Sequence, residues 1–220
     1  MKVNLKIPTS LNELSLSQYQ EFAKLEGQQQ TTAIQLKMIE IFCKIDLKDV
    51  ANIKYNDLQD TLVHFNDLFN DDYKLHRFFK MGSTEFGLIP KLDDMTFGEY
   101  VTLDTYMGDW KNMDKAMEVL FRPVKIKSLN KYDIEEYEPE KFDMSKMPLS
   151  AALGALVFFY RLNSELQKTT LNYLMKETAK TTAQKQISQP NGDGINQSMD
   201  LVAEIFKSSI LLRTPMFTST

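Results

Sequence analysis

Ile89-Pro90-Lys91-Leu92-Asp93-Asp94-Met95-Thr96-Phe97-Gly98-Glu99-Tyr100 decides the reading of this chain, because an earlier stretch follows the same plan. That stretch is Ile7-Pro8-Thr9-Ser10-Leu11-Asn12-Glu13-Leu14-Ser15-Leu16-Ser17-Gln18-Tyr19. Each opens with Ile-Pro, and proline disfavours helix in the residue before it, so Ile7 and Ile89 are expected to end strands. Each then offers a hydroxyl N-cap, Ser15 or Thr96, with a Gln or Glu three residues on. Ser15 with Gln18 and Thr96 with Glu99 make capping boxes, in which side chain and backbone satisfy each other's free groups. Leu14 with Tyr19, and Met95 with Tyr100, bracket the caps as hydrophobic staples.

Two further echoes follow in the same order. Met38-Ile39-Glu40-Ile41-Phe42 is answered by Met117-Glu118-Val119-Leu120-Phe121, and Leu62-Val63-His64-Phe65-Asn66-Asp67-Leu68 by Leu156-Val157-Phe158-Phe159-Tyr160-Arg161-Leu162. Colinear echoes imply a duplicated module. The expected fold is mainly α with small antiparallel β elements, an α+β arrangement. It has two pseudo-repeated strand–helix–helix–helix modules and a C-terminal amphipathic helix. The modules are expected over 1–82 and 83–186, with a linker and docking arm over 187–220.

Working outward, Val3, Leu5 and Ile7 alternate with Lys2, Asn4 and Lys6, the period of a half-buried strand over 2–7. Helices are expected at 16–26, 31–44 and 55–69, and a hairpin at 76–90 turned near Gly82-Ser83-Thr84. Helices at 97–107 and 111–121 follow, the second closed by Pro123. Residues 124–127 and 132–135 read as another hairpin; with the acidic stretch after it, 124–146 is expected to be an insertion into the second module. Pro148 suits the first position of a long helix reaching about 181. The Ser188-Gln189-Pro190-Asn191-Gly192-Asp193-Gly194 run reads as a linker.

Beyond the linker, Leu201, Val202, Ile205, Phe206, Ile210 and Leu211 form the apolar face of a helix over 198–212, and Met216 and Phe217 add an apolar tail. Two readings stand: the segment folds back on its own domain, or it docks on a neighbouring subunit. Trp110, beside Gly108-Asp109 at a helix break, is a candidate interface anchor, with burial against a neighbouring helix as the competing reading.

Composition narrows the chemistry. In 220 residues, 30 acids against 26 bases give a net charge of −4, which argues against a general nucleic-acid surface. Arginine is confined to Arg77, Arg122, Arg161 and Arg213, too sparse for planar phosphate recognition as a main activity. One cysteine, Cys43, excludes an internal disulfide and fits a reducing compartment. Met1-Lys2-Val3-Asn4 leads into a strand pattern, so no secretory signal is expected. The apolar run 147–160 is too short to span a bilayer and reads as a buried helix.

Cys43 with His64 or His76 could form a nucleophile–base pair, but Cys43 sits in an apolar helical run without an activating motif, and an inert thiol is the better reading. One cysteine and two histidines supply too few soft ligands for zinc. Asp193 lacks the acidic spacing of a calcium loop. Asp71-Asp72 and Asp93-Asp94 sit at element edges, where acids cap helices and solvate loops. No phosphate loop or nucleophile elbow is present in the sequence. No catalytic residue, cofactor or metal site is therefore expected.

Residues 92–100, running on to Asp109-Trp110, together with Val119-Leu120-Phe121-Arg122-Pro123, resemble uncharacterised structural proteins of tailed bacteriophages, including crAss-like phages of Bacteroidetes hosts. Residues 30–70, a helix, a short link and then Asp57-Leu58 leading a second helix, are similar in layout to small tail-assembly chaperones. The resemblance implies a virion structural protein of the neck, portal or tail region, assembled in the host cytoplasm. Its implied partners are other phage structural proteins and copies of itself, with no specific nucleic acid and no membrane. A tail-assembly chaperone absent from the mature particle is the alternative. The shared motifs are structural, so no functional residue carries over.

Overall fold

A computed structural model describes residues 5–25, 32–70, 72–128 and 131–185. The chain divides into two compact units, 1–157 and 158–220. The first unit contains both capped helices and the sheet. It opens with α1 (Leu16–Ala23), α2 (Thr32–Cys43), the single turn α3 (Leu47–Val50) and α4 (Tyr55–Phe69). A hairpin follows, β1 (Phe78–Met81) and β2 (Thr84–Leu88), then α5 (Phe97–Tyr106) and α6 (Met113–Leu120). The chain returns to the sheet as β3 (Phe121–Ser128) and β4 (Lys131–Ile134) and leaves through α7 (Leu149–Lys185).

Both capping boxes form. Ser15 Oγ accepts from Gln18 N at 3.3 Å while Ser15 N donates to Gln18 Oε1 at 3.0 Å. Thr96 Oγ1 accepts from Glu99 N at 3.3 Å while Thr96 N donates to Glu99 Oε2 at 2.6 Å. The staples differ: Tyr19 is buried, whereas Tyr100 stands in solvent.

The N-terminal ends of α1 and α7 solve each other's hydrogen-bond deficit. The first N–H groups of a helix have no partner within it. Here Leu16 N donates to Met147 O at 2.9 Å, and Leu149 N donates to Leu14 O at 2.8 Å. Ser15 and Pro148 thereby pair as a two-residue antiparallel bridge. Leu14, Leu16, Met147 and Leu149 are all buried around it. Residues far apart in sequence are thus pinned by backbone as well as by packing.

Two expectations need correction. The strand over 2–7 does not form over its described part. Residues 5–8 are irregular, and the Pro8 carbonyl accepts instead from His64 Nε2 at 2.8 Å. A strand needs a neighbour, and the described sheet ends at β1. Pro123 does not close a helix. The helix ends at Leu120, Phe121 begins β3, and Pro123 lies inside the strand opposite Phe86. It is tolerated there because pairing with β4 starts one residue later, at Val124, while the Pro123 carbonyl accepts from Glu135 N at 2.9 Å. The second hairpin joins the first. The strands form one antiparallel sheet, β1-β2-β3-β4, in which β3 pairs with β2 through Leu88↔Phe121 to Phe86↔Pro123.

The β1–β2 turn is Gly82-Ser83, with Gly82 at φ +57, a left-handed value suited to glycine at the first position of a tight hairpin turn. Two aromatic clusters fill the first unit. One joins Tyr19, Phe22, Phe42, Phe65 and Phe69, with Phe42 5.4 Å from Phe22 and 5.5 Å from Phe65. The other lines the sheet: Phe86 stacks on Phe79 at 5.5 Å and meets Phe142 edge-on at 5.2 Å. Small residues bring α7 against the loop before β1. Ala151, Ala152 and Ala155 are buried, and a Cβ on Gly154 would lie 2.2 Å from the Lys74 carbonyl oxygen.

Residues 198–217, where the C-terminal helix and tail are expected, lie outside the described residues.

Candidate functional site

Among the described residues, helix α5 is held on one side and exposed on the other. A 3-10 turn over Leu92–Asp94 leads into its Thr96 cap. Its inner side buries Glu99 and Leu103. Glu99 is the N3 residue of the box, and its second oxygen forms an ion pair with Arg122 on β3. Arg122 also donates from Nε to Val119 O at 3.1 Å and lies over the Tyr137 ring, 5.6 Å from its centre. Burial pushes the Glu99 carboxyl up, but bonds from Thr96 and the Arg122 charge outweigh it, so its pKa lies below the ordinary 4.5. A charged, fully bonded carboxylate thus locks the start of α5 to the sheet.

The outer side carries Phe97, Tyr100 and Val101, at 81%, 56% and 44% exposure. Spacings of three and four residues place these side chains together on one helical face. The rim is acidic: Asp93, Asp94 and Asp104 are exposed, with Lys91 reaching Asp94 only at 4.0 Å. Thr102 and Thr105 turn their hydroxyls onto the helix's own carbonyls, Gly98 O at 3.0 Å and Val101 O at 2.6 Å. The face therefore presents rings and a branched aliphatic side chain on a backbone fixed from behind.

The comparison with α1 is direct, because both helices are framed by the same box. Leu16 and Tyr19 occupy the first and fourth helical positions of α1, as Phe97 and Tyr100 do in α5. Leu16 and Tyr19 are buried, at 0% and 5% exposure. Tyr19 packs on Phe69 at 5.8 Å and edge-on to Trp110 at 4.4 Å. One motif is covered within the chain; the other is exposed among the described residues. The sequence reading missed Phe97, Tyr100 and Val101 because periodicity marks an apolar face without saying what meets it. The available signal was Val101 beside Phe97 and Tyr100, which widens the face where α1 has Gln20.

Trp110 is half-buried against Tyr19 within the chain. Its turn is set by Asp109, which accepts from Lys111 N at 3.1 Å and from Asn112 Nδ2 at 2.8 Å. The other interface candidates, Leu201, Ile205, Phe206, Ile210, Met216 and Phe217, lie outside the described residues. Of the cap residues, Gln18 does more than cap: its Nε2 donates to Ile41 O at 2.7 Å, at the C-terminal end of α2.

An open cleft of about 590 Å³ lies between residues 12–15, the β1–β2 turn and residues 142–148. Lys44, Lys80 and Lys146 line it with Glu13 and Asp143. Its acids are already engaged. Glu13 accepts from Thr9 Oγ1 at 2.7 Å, and Asp143 pairs with Lys146 at 3.0 Å. Cys43 is buried, and burial pushes its thiol up to about 11, which disfavours the reactive thiolate. His64 spends Nε2 on the Pro8 carbonyl. Among the described residues, no three His, Cys, Asp or Glu side chains come together to hold a metal, and no helix is long and apolar enough to cross a membrane. Asp71 lies outside the described residues, and Asp93-Asp94 rim the α5 face. Searches of protein families, curated proteins and solved structures found no match to the chain.

Proposed function

We propose that this chain is a non-enzymatic structural protein of a tailed bacteriophage, acting through protein–protein contacts in the neck, portal or tail region. The observation that carries the contact role is the α5 face, Phe97, Tyr100 and Val101, exposed on a helix anchored from behind by Glu99 and Arg122. Burying side chains of this kind is worth about 1.5–3 kcal/mol each, so leaving them in water forgoes stability that a partner would supply. The phage assignment rests on the resemblance of 92–110 and 119–123 to phage structural proteins. A duplicated capped module is part of the same reading, supported by the two boxes at Ser15 and Thr96.

The test is particle composition. Mass spectrometry of purified particles from the producing phage should find the chain at stoichiometric copy number in the virion. Its absence from particles, together with presence in assembly intermediates, would move the assignment to an assembly chaperone. The helix–link–helix layout of α2 and α4, joined through α3, favours that second reading. Absence from both would remove the phage assignment.

A further inference from the structure

We infer that the outer face of α5 binds the β3–β4 hairpin of a second copy of this chain, around Ile126. This deepens the contact reading above and rests on it. The hairpin carries a bulge. Val124 pairs with Ile134 and Ile126 with Asp133, so Lys125 is an extra residue on β3. A bulge re-aims the side chains beside it. The side chains of Val124, Tyr132 and Ile134 lie over Gly87 on one face of the sheet. Simple alternation would return residue 126 to that face. The bulge gives the place to Lys127 instead, whose Nζ lies 3.8 Å from the centre of the Phe78 ring. Ile126 is turned to the opposite face, across from Asp133, and stands 67% exposed.

The two patches match in hydrophobicity and in charge sign. Phe97, Tyr100 and Val101 are exposed, and Asp104 follows them on the same helical stripe. Ile126 offers a β-branched side chain with little rotamer freedom to lose on burial. Lys131 shares its face, two residues along β4 from Asp133, and Lys125 stands beside it in the bulge. The Asp133 carboxylate already accepts from Ile134 N at 3.0 Å. Among the described residues, Asp104, Lys125 and Lys131 are exposed and make no ion pair. An apolar patch with an unpaired acid thus faces an apolar side chain with unpaired bases. Two α5 faces set against each other would oppose their acids, which disfavours that pairing. Both patches belong to the compact unit 1–157, yet Phe97 is 81% and Ile126 67% exposed. One chain does not bury the first against the second, so the contact takes two copies.

The experiment uses the full chain with the photo-crosslinking residue p-benzoylphenylalanine in place of Phe97, made in nitrogen-14 and nitrogen-15 forms and mixed. After irradiation, mass spectrometry should find crosslinks from position 97 to peptides within 122–135, joining light chains to heavy ones. In sedimentation, D104K and K131E should each weaken self-association about tenfold, and both changes in one chain should restore it, because the exchanged charges attract again. I126D should weaken it as well, with circular dichroism unchanged because the side chain is exposed. Crosslinks confined to one isotope form would mean the hairpin meets its own chain, which overturns the inference. Crosslinks to other segments, a monomeric full chain, or a double variant no stronger than the single ones would overturn it too. Particle composition is measured separately, so the virion reading stands or falls apart from these results.

Discussion

Gln18 and Glu99 hold the same place in two capping boxes, and each makes a second, long-range bond that the other could not make. Gln18 accepts from Ser15 N through Oε1 and donates through Nε2 to Ile41 O. Glu99 accepts from Thr96 N through one oxygen and from Arg122 through the other. An amide donates and accepts; a carboxylate only accepts. The third position after each cap therefore matches the chemistry of its distant neighbour: a carbonyl at the end of α2, a guanidinium on β3.

That pairing predicts that exchange is not neutral. Gln18→Glu would set a carboxylate against the Ile41 carbonyl, and Glu99→Gln would turn an amide N–H toward Arg122 or leave the box incomplete. Each should cost about 1–3 kcal/mol, measured as a shift in urea midpoint. Unchanged midpoints for both would show that the second bonds contribute nothing.

The Glu99 carboxyl also predicts an acid limb. Its folded pKa lies below the ordinary 4.5, so the folded state favours the charged form. The stability it contributes is present above that value and is lost as pH falls through the lower folded pKa. Denaturation midpoints measured from pH 6 to pH 3 should fall more steeply for the unsubstituted chain than for Glu99→Gln.

Equivalent helix positions should respond oppositely. Leu16→Ala removes a fully buried side chain and should cost about 2–5 kcal/mol. Phe97→Ala removes an exposed one and should stay within about 0.5 kcal/mol in the isolated chain. A large loss at Phe97 would mean the ring is covered in solution.

Caps should matter in both helices. Ser15→Ala and Thr96→Ala each remove the hydroxyl acceptor for an N3 amide and should cost about 1 kcal/mol. Thermal denaturation of the two variants checks this.

Gly154→Ala tests the close approach of α7 to the loop before β1. A Cβ there would meet the Lys74 carbonyl oxygen at 2.2 Å, and backbone cannot rotate away as a side chain can. The expected loss is about 1–3 kcal/mol, although alanine is the better helix former. A stabilised Gly154→Ala would show that the loop yields.

The sequence by itself determined the local signals. Boxes at Ser15 and Thr96, the Gly82-Ser83 turn and the long helix starting after Pro148 were legible because each is written within a few residues. Only the tertiary structure decided what those elements meet. Whether 5–8 becomes a strand depends on a partner strand, and whether Pro123 ends a helix or enters a sheet depends on β2 lying alongside. The exposure of Phe97 and Tyr100, against the burial of Leu16 and Tyr19 in the same motif, is likewise set by neighbours, such as Phe69 and Trp110 around Tyr19. Hydrogen-bond caps act over one helical turn, whereas burial is a property of everything that packs around a side chain, and that is not encoded at the position itself.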